Sequence, residues 1–257
     1  MLLLLGVISF VCELINASLG MGYGTTLTPI LLILGYSPAV IVPTVLLSGL
    51  LTGLISGGVH HAFGNLSLRS GSRDRSVILV LASMGAVGAI GAVVLANHLS
   101  QHVLEIYIGA MVTAMGVLVY VFRRHCIRFS FPRIIAVGAI AAFNKGISGG
   151  GYGPLVVSGQ ILSGHGVRNA VGVACFTEGL ICLVGFPLYI GLNDGGAWFA
   201  SHWRVFLPIV LGASLAAPLA SWATRSLVRR VDLRWIIAII TCALGLWTLW
   251  RALVAPR

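Results

Sequence analysis

The sequence predicts an all-helical polytopic membrane protein built from two inverted repeats. Three observations predict it: an apolar composition, a repeated order of apolar segments, and a glycine-rich break at the same place in each half. The chain of 257 residues is 58% hydrophobic and 9% charged, with a mean hydropathy of +1.02. Its long apolar runs show no polar alternation, which favours transmembrane helices over barrel strands. Helices also satisfy the backbone hydrogen bonds that lipid cannot provide.

Eight apolar units follow one another along the chain, four in each half. Each half begins with a unit interrupted by glycines and continues with three uninterrupted spans. The first half has its broken unit at about 2–34 and its spans near 38–59, 76–96 and 103–122. The second half has its broken unit at about 134–163 and its spans near 167–192, 205–224 and 235–252. We therefore predict one membrane domain of two repeats, 1–130 and 131–257, with no soluble domain.

The two halves carry their breaks at matching positions. The tripeptides Gly22-Tyr23-Gly24 and Gly151-Tyr152-Gly153 coincide at an offset of 129 residues. Glycine suits a break because it adopts backbone angles that are closed to other residues. Unwound backbone at membrane depth is tolerated where it lines a cavity or packs against protein. Broken helices at matching positions in two halves of a membrane protein predict a substrate site between them.

The arginines predict how the two halves are oriented. If each broken unit is re-entrant, each half crosses the membrane three times and the halves are inverted. Twelve of the fifteen arginines then lie on one side, in loops 60–75, 123–133 and 225–234 and at Arg168. If each half instead crosses an even number of times, ten lie on one side and five on the other. The positive-inside rule favours the inverted arrangement, with both termini outside.

The net charge of +10 does not indicate nucleic-acid binding, because the arginines cluster in short loops between apolar segments. The five cysteines lack metal-ligand spacing, and we predict neither a metal site nor a cofactor. Four of them lie in apolar runs, where packing explains them, and Cys126 lies in an arginine-rich loop. The first 20 residues resemble a signal peptide but lack a basic start and have a counterpart in the second half. We expect them to be retained.

The residues around the breaks predict a cradle for a small anion. Pro154 suits the first turn of a new helix, whose free N–H groups and positive dipole end would point into the break. Hydroxyl and amide side chains near both breaks would add donors. The predicted binding residues are Asn16, Ser18, Gly22, Tyr23, Gly24 and Thr25 at the first break, and Asn144, Lys145, Ser148, Gly150, Gly151, Tyr152 and Gly153 at the second.

Lys145, the only lysine in the chain, stands beside the second break. A charge at the bilayer centre costs about 2.5–3.5 kcal/mol on insertion scales, so it has a functional or a paired role. Lys145 could bind the anion directly, or pair with Glu178 when the site is empty. Glu178 and Glu13 are candidates for a coupled proton. The alternative for Lys145 and Glu178 is a purely structural ion pair. The alternative for the glycine breaks is tight helix packing through small residues, and this packing would not explain Lys145.

Two other functions have partial support in the motifs. Gly146-Ile147-Ser148-Gly149 resembles the serine motif of rhomboid intramembrane proteases, but that chemistry needs a histidine facing the serine. His60, His61 and His165 lie near loop edges, where we expect them to be solvated. Gly-Tyr-Gly resembles the potassium-channel filter, but a lysine would repel cations. An anion channel that uses the same cradle stays open as an alternative.

The two glycine-rich stretches resemble those of the TauE/SafE family, the sulfite-exporter group of membrane proteins. The matching residues are Gly20-Met21-Gly22-Tyr23-Gly24 with Pro29, and Gly146 through Pro154. The resemblance covers essentially the whole chain. It implies a non-enzymatic transporter in the bacterial inner membrane that exports sulfite or a small organosulfonate. Its expected partners are this small anion and the lipid bilayer, with a homo-oligomer left open.

Overall fold

The computed structural model of this chain describes residues 1–20, 22–122, 131–230 and 234–254. Side chains are described there except at 122, 131, 225–230 and 234–237. Met21, Cys126 and the arginines of 123–130 lie outside the described residues, as do 231–233 and 255–257. Within the described ranges the secondary structure is helical and contains no strand, which confirms the all-helical prediction.

The chain forms its helices in two runs with the same order of lengths, a long helix and a short one followed by three long ones. The helices of the described ranges are α1 Leu2–Leu19, α2 Tyr23–Ile33, α3 Pro38–Ala62, α4 Arg73–His98, α5 Gln101–Phe122, α6 Phe131–Ser148, α7 Tyr152–Leu162, α8 Val167–Leu192, α9 Gly195–Arg230 and α10 Arg234–Val254.

Six of the described helices, namely α1, α3, α4, α5, α8 and α9, are long and apolar enough to cross a membrane. This confirms the prediction of a polytopic membrane protein. In contrast, α2 and α7 have 11 residues each. At 1.5 Å per residue, such a helix extends only about 16 Å, roughly half of the hydrocarbon thickness.

The predicted broken units are helix pairs with matching bounds. Helices α1 and α6 each have 18 residues, and α2 and α7 each have 11. Both pairs are offset by 129 residues, the same offset that aligns the tripeptides. The structure thus confirms that each half begins with an interrupted helix.

Helix α9 is longer than the span predicted at 205–224. It begins at Gly195, directly after Asp194, whose carboxylate accepts a hydrogen bond from the Ala197 N–H at 3.3 Å. Such a side-chain acceptor stabilises the first turn of a helix. The added turns are held by packing, because Trp198 stacks on Phe206 with ring centroids 5.4 Å apart. The polar residues of this segment explain why the predicted span begins only at 205.

Corresponding helices of the two halves pack against each other in antiparallel fashion. This holds for α3 with α8 and for α5 with α10, since residue numbers rise along one helix as they fall along the other. The contacts that fix the directions are Gly49 with Cys182 and Gly57 with Phe176 for the first pair, and Gly109 with Leu249 and Gly116 with Cys242 for the second. Glycines at these crossings let the helices approach closely.

The first helix of each half packs along a helix of the other half, and both of these pairs are parallel. Helix α1 lies along α9, and α6 lies along α4. The directions follow from contacts of Gly6 with Pro208 and Ala17 with Thr224 in the first pair, and of Gly138 with Leu81 and Gly146 with Ala89 in the second. Each half therefore inserts its broken helix into the other half.

The second broken unit enters and leaves on one side of the bundle. Helix α6 starts beside the N-terminal part of α4, where Gly138 contacts Leu81. Helix α7 ends at the same part of α4, where the Arg73 guanidinium donates to the Ser163 carbonyl at 3.0 Å. The α6–α7 unit is therefore a hairpin whose turn is the glycine-rich break.

Candidate functional site

Both breaks are built by glycines with positive φ. Helix α1 ends at Leu19 and is followed by Gly20 at φ 72° and Gly22 at φ 82°. Helix α6 ends at Ser148 and is followed by Gly149 at φ 75° and Gly151 at φ 79°. Residues that carry a side chain rarely adopt these backbone angles, so each break depends on glycine at these positions. The sequence motif thus encodes the turn of each hairpin.

The two breaks touch each other in the interior of the bundle. A side-chain carbon at Gly24 would overlap the Gly149 carbonyl, and one at Gly153 would overlap the Gly22 backbone nitrogen. The Gly151 N–H donates to the Thr25 hydroxyl oxygen at 2.9 Å across the junction. The structure therefore brings the predicted halves of the site into direct backbone contact.

The tyrosines of the two tripeptides have equivalent positions. Tyr23 and Tyr152 are 0% and 1% exposed. The Tyr23 hydroxyl accepts a hydrogen bond from the Ser48 hydroxyl at 2.9 Å, and the Tyr152 hydroxyl donates to the Thr177 hydroxyl at 2.7 Å. Ser48 and Thr177 are themselves 129 residues apart. Both hydroxyls therefore attach a short helix to the long helix that follows it.

The backbone N–H groups of the predicted cradle bind oxygens of the protein in this structure. The Gly22 N–H donates to the Asn16 side-chain oxygen at 3.1 Å, and the Gly150 N–H donates to the Ser148 hydroxyl at 3.1 Å. With the Gly151 bond to Thr25, three of the predicted donors have acceptors that an anion would replace. The site as described is closed around its own hydrogen bonds.

The remaining predicted amide and hydroxyl donors differ in placement. Asn144 lies beside Gly151, and its side-chain oxygen accepts a hydrogen bond from the Tyr107 hydroxyl. Ser18 instead donates to the Leu14 carbonyl of its own helix, which gives it no described contact with the break. Sequence inspection missed Tyr107 because α5 carries no motif that links it to the breaks.

Lys145 forms a buried ion pair with Glu178. Its ammonium nitrogen lies 2.6 Å from Glu178 Oε1, and the two side chains are 0% and 4% exposed. Gly49 leaves the space for this ammonium, because a side-chain carbon there would lie 3.2 Å from Lys145 Nζ. The predicted pairing is therefore present, with the lysine directed at the carboxylate.

Glu13 is fully buried and is connected to the first break through Asn16. The Asn16 amide donates to Glu13 Oε2 at 3.0 Å, while its oxygen accepts from the Gly22 N–H. The Ser56 hydroxyl donates to Glu13 Oε1 at 3.4 Å. A chain of hydrogen bonds thus runs from a buried carboxyl group to the glycine turn.

The expectation of solvated histidines is wrong for His60 and His165. They are 0% and 7% exposed. His60 Nε2 lies 3.1 Å from the Ala17 carbonyl, and its Nδ1 lies 3.0 Å from the Asn65 amide nitrogen. The reason is that α3 continues to Ala62, so that His60 lies inside the bundle. Its neighbour His61 does lie at the surface.

The described residues contain no group of three or more histidine, cysteine, aspartate or glutamate side chains that could hold a metal ion. Ser148, the serine of the protease-like motif, donates to the Asn144 carbonyl at 2.6 Å and accepts from the Gly150 N–H. These are backbone contacts that shape the turn, and they do not resemble the activation of a nucleophile.

A multi-pass helical bundle with two glycine-rich breaks in contact is thus the class of protein that the structure defines. The family model described as sulfite exporter TauE/SafE matches residues 5–248, and the chain belongs to this family. A relative from Bacillus subtilis (strain 168), described as "Probable membrane transporter protein YtnM", is 28% identical over 234 residues, covering 86% of this chain and 74% of the relative. No solved structure matches the chain. Family and relative together support membrane transport.

Proposed function

We propose that the protein exports a small sulfur oxyanion, sulfite or an organosulfonate, across the bacterial inner membrane by alternating access. The observation that carries the proposal is the contact between two glycine breaks beside a buried lysine. Broken helices that meet near the midplane present N–H groups to anionic substrate groups. The family name supplies the sulfur oxyanion as the first candidate.

An inverted repeat underlies the proposed movement. Its support is the antiparallel packing of α3 with α8 and of α5 with α10, which are counterparts at the 129-residue offset. Two structurally equivalent halves of opposite direction can exchange conformations and so open the site to either side in turn.

Binding of the anion would replace contacts that the protein now makes with itself. The oxygens of the anion would take the N–H groups of Gly22–Thr25 and Gly150–Gly153, three of which now bind side-chain oxygens. The anion would also compete with Glu178 for the Lys145 ammonium, with Asn16, Asn144 and Ser148 as further donors. These internal hydrogen bonds keep the N–H groups of the empty site paired where no water is present.

This competition supplies a reason for coupling to protons. The Lys145–Glu178 pair is neutral as a unit, but Glu178 would be left as an unpaired buried carboxylate when Lys145 turns to the anion. An unpaired charge at this depth is strongly unfavourable, so Glu178 would take up a proton as the anion binds. Each transported anion would then be accompanied by one proton.

The test is calorimetry of purified protein with sulfite, sulfoacetate, taurine and sulfate. Lys145→Ala alone leaves Glu178 without a partner, so the matched variant is Lys145→Ala/Glu178→Gln, which removes both charges. We expect saturable binding of one sulfur oxyanion by the parent and no binding by either variant. Equal binding by the parent and the double variant would remove Lys145 from the site.

A further inference from the structure

Polar side chains recur at every fourth position along α3. They are Thr44, Ser48, Thr52, Ser56 and His60. Each of them is at most 1% exposed. Residues four apart are neighbours on the surface of a helix, so these five side chains form a continuous row that winds gradually around α3, here named the α3 stripe. At 1.5 Å per residue it extends about 24 Å, most of the hydrocarbon thickness.

The corresponding face of α8 is largely apolar. At the 129-residue offset, the counterparts of the α3 stripe are Val173, Thr177, Ile181, Gly185 and Tyr189. Val173, Ile181 and Gly185 have no polar side-chain group. Thr177 keeps a hydroxyl as the partner of Tyr152, and Tyr189 replaces the imidazole of His60 by a phenol. The packing of the fold therefore does not require a polar line at this position. Hydroxyls such as that of Thr44 can bond their own helix, but ionisable side chains inside the membrane are costly and rare, so the buried His60 and the Glu13 that Ser56 contacts point to a function for this end of the stripe.

The α3 stripe leads to Glu13 and not to Glu178. Ser56 donates to the Glu13 carboxyl, one helical turn from His60. His60 in turn contacts the Asn65 amide, which precedes the segment with Arg69, Arg73 and Arg75. Towards the other end, the Ser48 hydroxyl donates to the Tyr23 hydroxyl at 2.9 Å.

Glu13 lacks a cationic partner at close range. Its described hydrogen bonds come from an amide and a hydroxyl, and it forms no ion pair within the described part of the chain. The titratable groups that face it electrostatically are Cys12 and Tyr23 from its own repeat, and Lys145, Cys175 and Glu178 from the other. Lys145 is already engaged by Glu178, so a resident proton on Glu13 keeps the cluster neutral.

We propose that the α3 stripe is a proton path that connects the Arg69–Arg75 side of the bundle to a proton-binding site at Glu13, through His60 and Ser56. An imidazole accepts a proton on one nitrogen and releases one from the other. Both nitrogens of His60 have partners in the structure, the Ala17 carbonyl and the Asn65 amide, so transfer to Ser56 requires the ring to exchange one of these contacts. Side chains one turn apart are about 6 Å from each other, a gap that one water molecule bridges. The purpose of the path rests on the proposed transport function, but its existence is testable without any substrate.

The proton-binding site is tested by infrared spectroscopy of the purified full-length protein. A protonated carboxyl group has a C=O band that is absent from a carboxylate and shifts when the proton is exchanged for deuterium. We expect such a band in the parent and in Glu178→Gln, and its loss in Glu13→Gln. A band that persists unchanged in Glu13→Gln would overturn the proposal.

The path is tested by the rate of the deuterium shift of that band after transfer to D₂O. We expect Ser56→Ala and His60→Gln each to slow the exchange at least tenfold. Ser221→Ala is the matched control, because this equally buried hydroxyl donates to its own helix at Ala217. Unchanged rates in both stripe variants would overturn the path. If the Glu13 band and the exchange rates behave as expected while calorimetry finds no anion binding, the substrate proposal fails and the proton path stands.

Discussion

Asn16 and Lys145 occupy the same position in the two broken helices, and each contacts a buried glutamate. Each stands three residues before the end of its helix, at Leu19 and Ser148. The Asn16 amide lies 3.0 Å from a Glu13 oxygen, and the Lys145 ammonium lies 2.6 Å from a Glu178 oxygen. One position therefore carries a neutral donor in the first repeat and a charged donor in the second. The site has equivalent parts and unequal charges.

The Lys145–Glu178 pair predicts a contrast between single and double replacements. Lys145→Met leaves Glu178 buried without its partner and should lower the free energy of unfolding by about 3–5 kcal/mol. Lys145→Met/Glu178→Gln removes both charges and should restore most of that loss. Equilibrium unfolding in detergent micelles measures both. A double variant no more stable than Lys145→Met would show that the loss arises from packing.

Asn16 should contribute more to stability than the nearby Ser18. Asn16→Leu leaves a Glu13 oxygen and the Gly22 N–H without their partners, and each buried unsatisfied group costs about 1–3 kcal/mol. Ser18→Ala removes a side-chain hydrogen bond within α1 and should lower the free energy of unfolding by less than about 1 kcal/mol. The same unfolding measurement compares them. Similar losses in the two variants would contradict the role assigned to Asn16.

The contact between the breaks predicts which glycines tolerate a methyl group. Gly153→Ala would place a carbon against the Gly22 backbone, and Gly24→Ala against the Gly149 carbonyl. Overpacking costs about 1–3 kcal/mol or more where backbone must move. The control is Gly91→Ala, because this helical glycine has open space around it. It should be neutral, or more stable by up to about 1 kcal/mol. Equal effects at all three positions would argue against a tight junction.

The two tyrosines should differ in spite of their equivalent positions. The Tyr23 hydroxyl contacts the Ser9 and Ser48 hydroxyls, whereas that of Tyr152 contacts the Thr177 hydroxyl. We therefore expect Tyr23→Phe to lower the free energy of unfolding more than Tyr152→Phe, by about 1 kcal/mol for the additional hydrogen bond. Thermal unfolding of both variants in the same detergent checks the order. The reverse order would show that the Ser9 contact does not stabilise the folded protein.

The breaks could be predicted from the sequence because they depend on local chemistry. Gly22 and Gly151 adopt angles that only glycine accepts readily, and the repeated tripeptide made this recognisable. Helix lengths also followed from the apolar runs. The broken units predicted at about 2–34 and 134–163 correspond to α1 with α2 and to α6 with α7, although α6 begins three residues earlier, at Phe131. These features need no knowledge of tertiary contacts.

The contacts of the site could not be predicted in the same way. Whether Lys145 faces Glu178 or the break depends on how α6 and α8 are rotated against each other, which side-chain spacing alone leaves undetermined. The position of His60 near the end of an apolar run predicts a solvated side chain, whereas α3 extends beyond it to Ala62. The recurrence of polar residues at every fourth position from Thr44 to His60 is visible in the sequence. It is the signal that predicts a buried position for this histidine within the bundle.

The packing of α1 along α9 has a consequence for how the protein is made. The Ser9 hydroxyl donates to the Ile209 carbonyl, a partner 200 residues later in the chain. At a synthesis rate of 5–20 residues per second, α1 waits about 10–40 s before that partner leaves the ribosome. Throughout this interval Glu13 and Asn16 lack α9, the helix that packs along α1 in the finished protein. The nascent first half must therefore remain beside the insertion machinery, or hold its polar face against its own later helices, until α9 arrives.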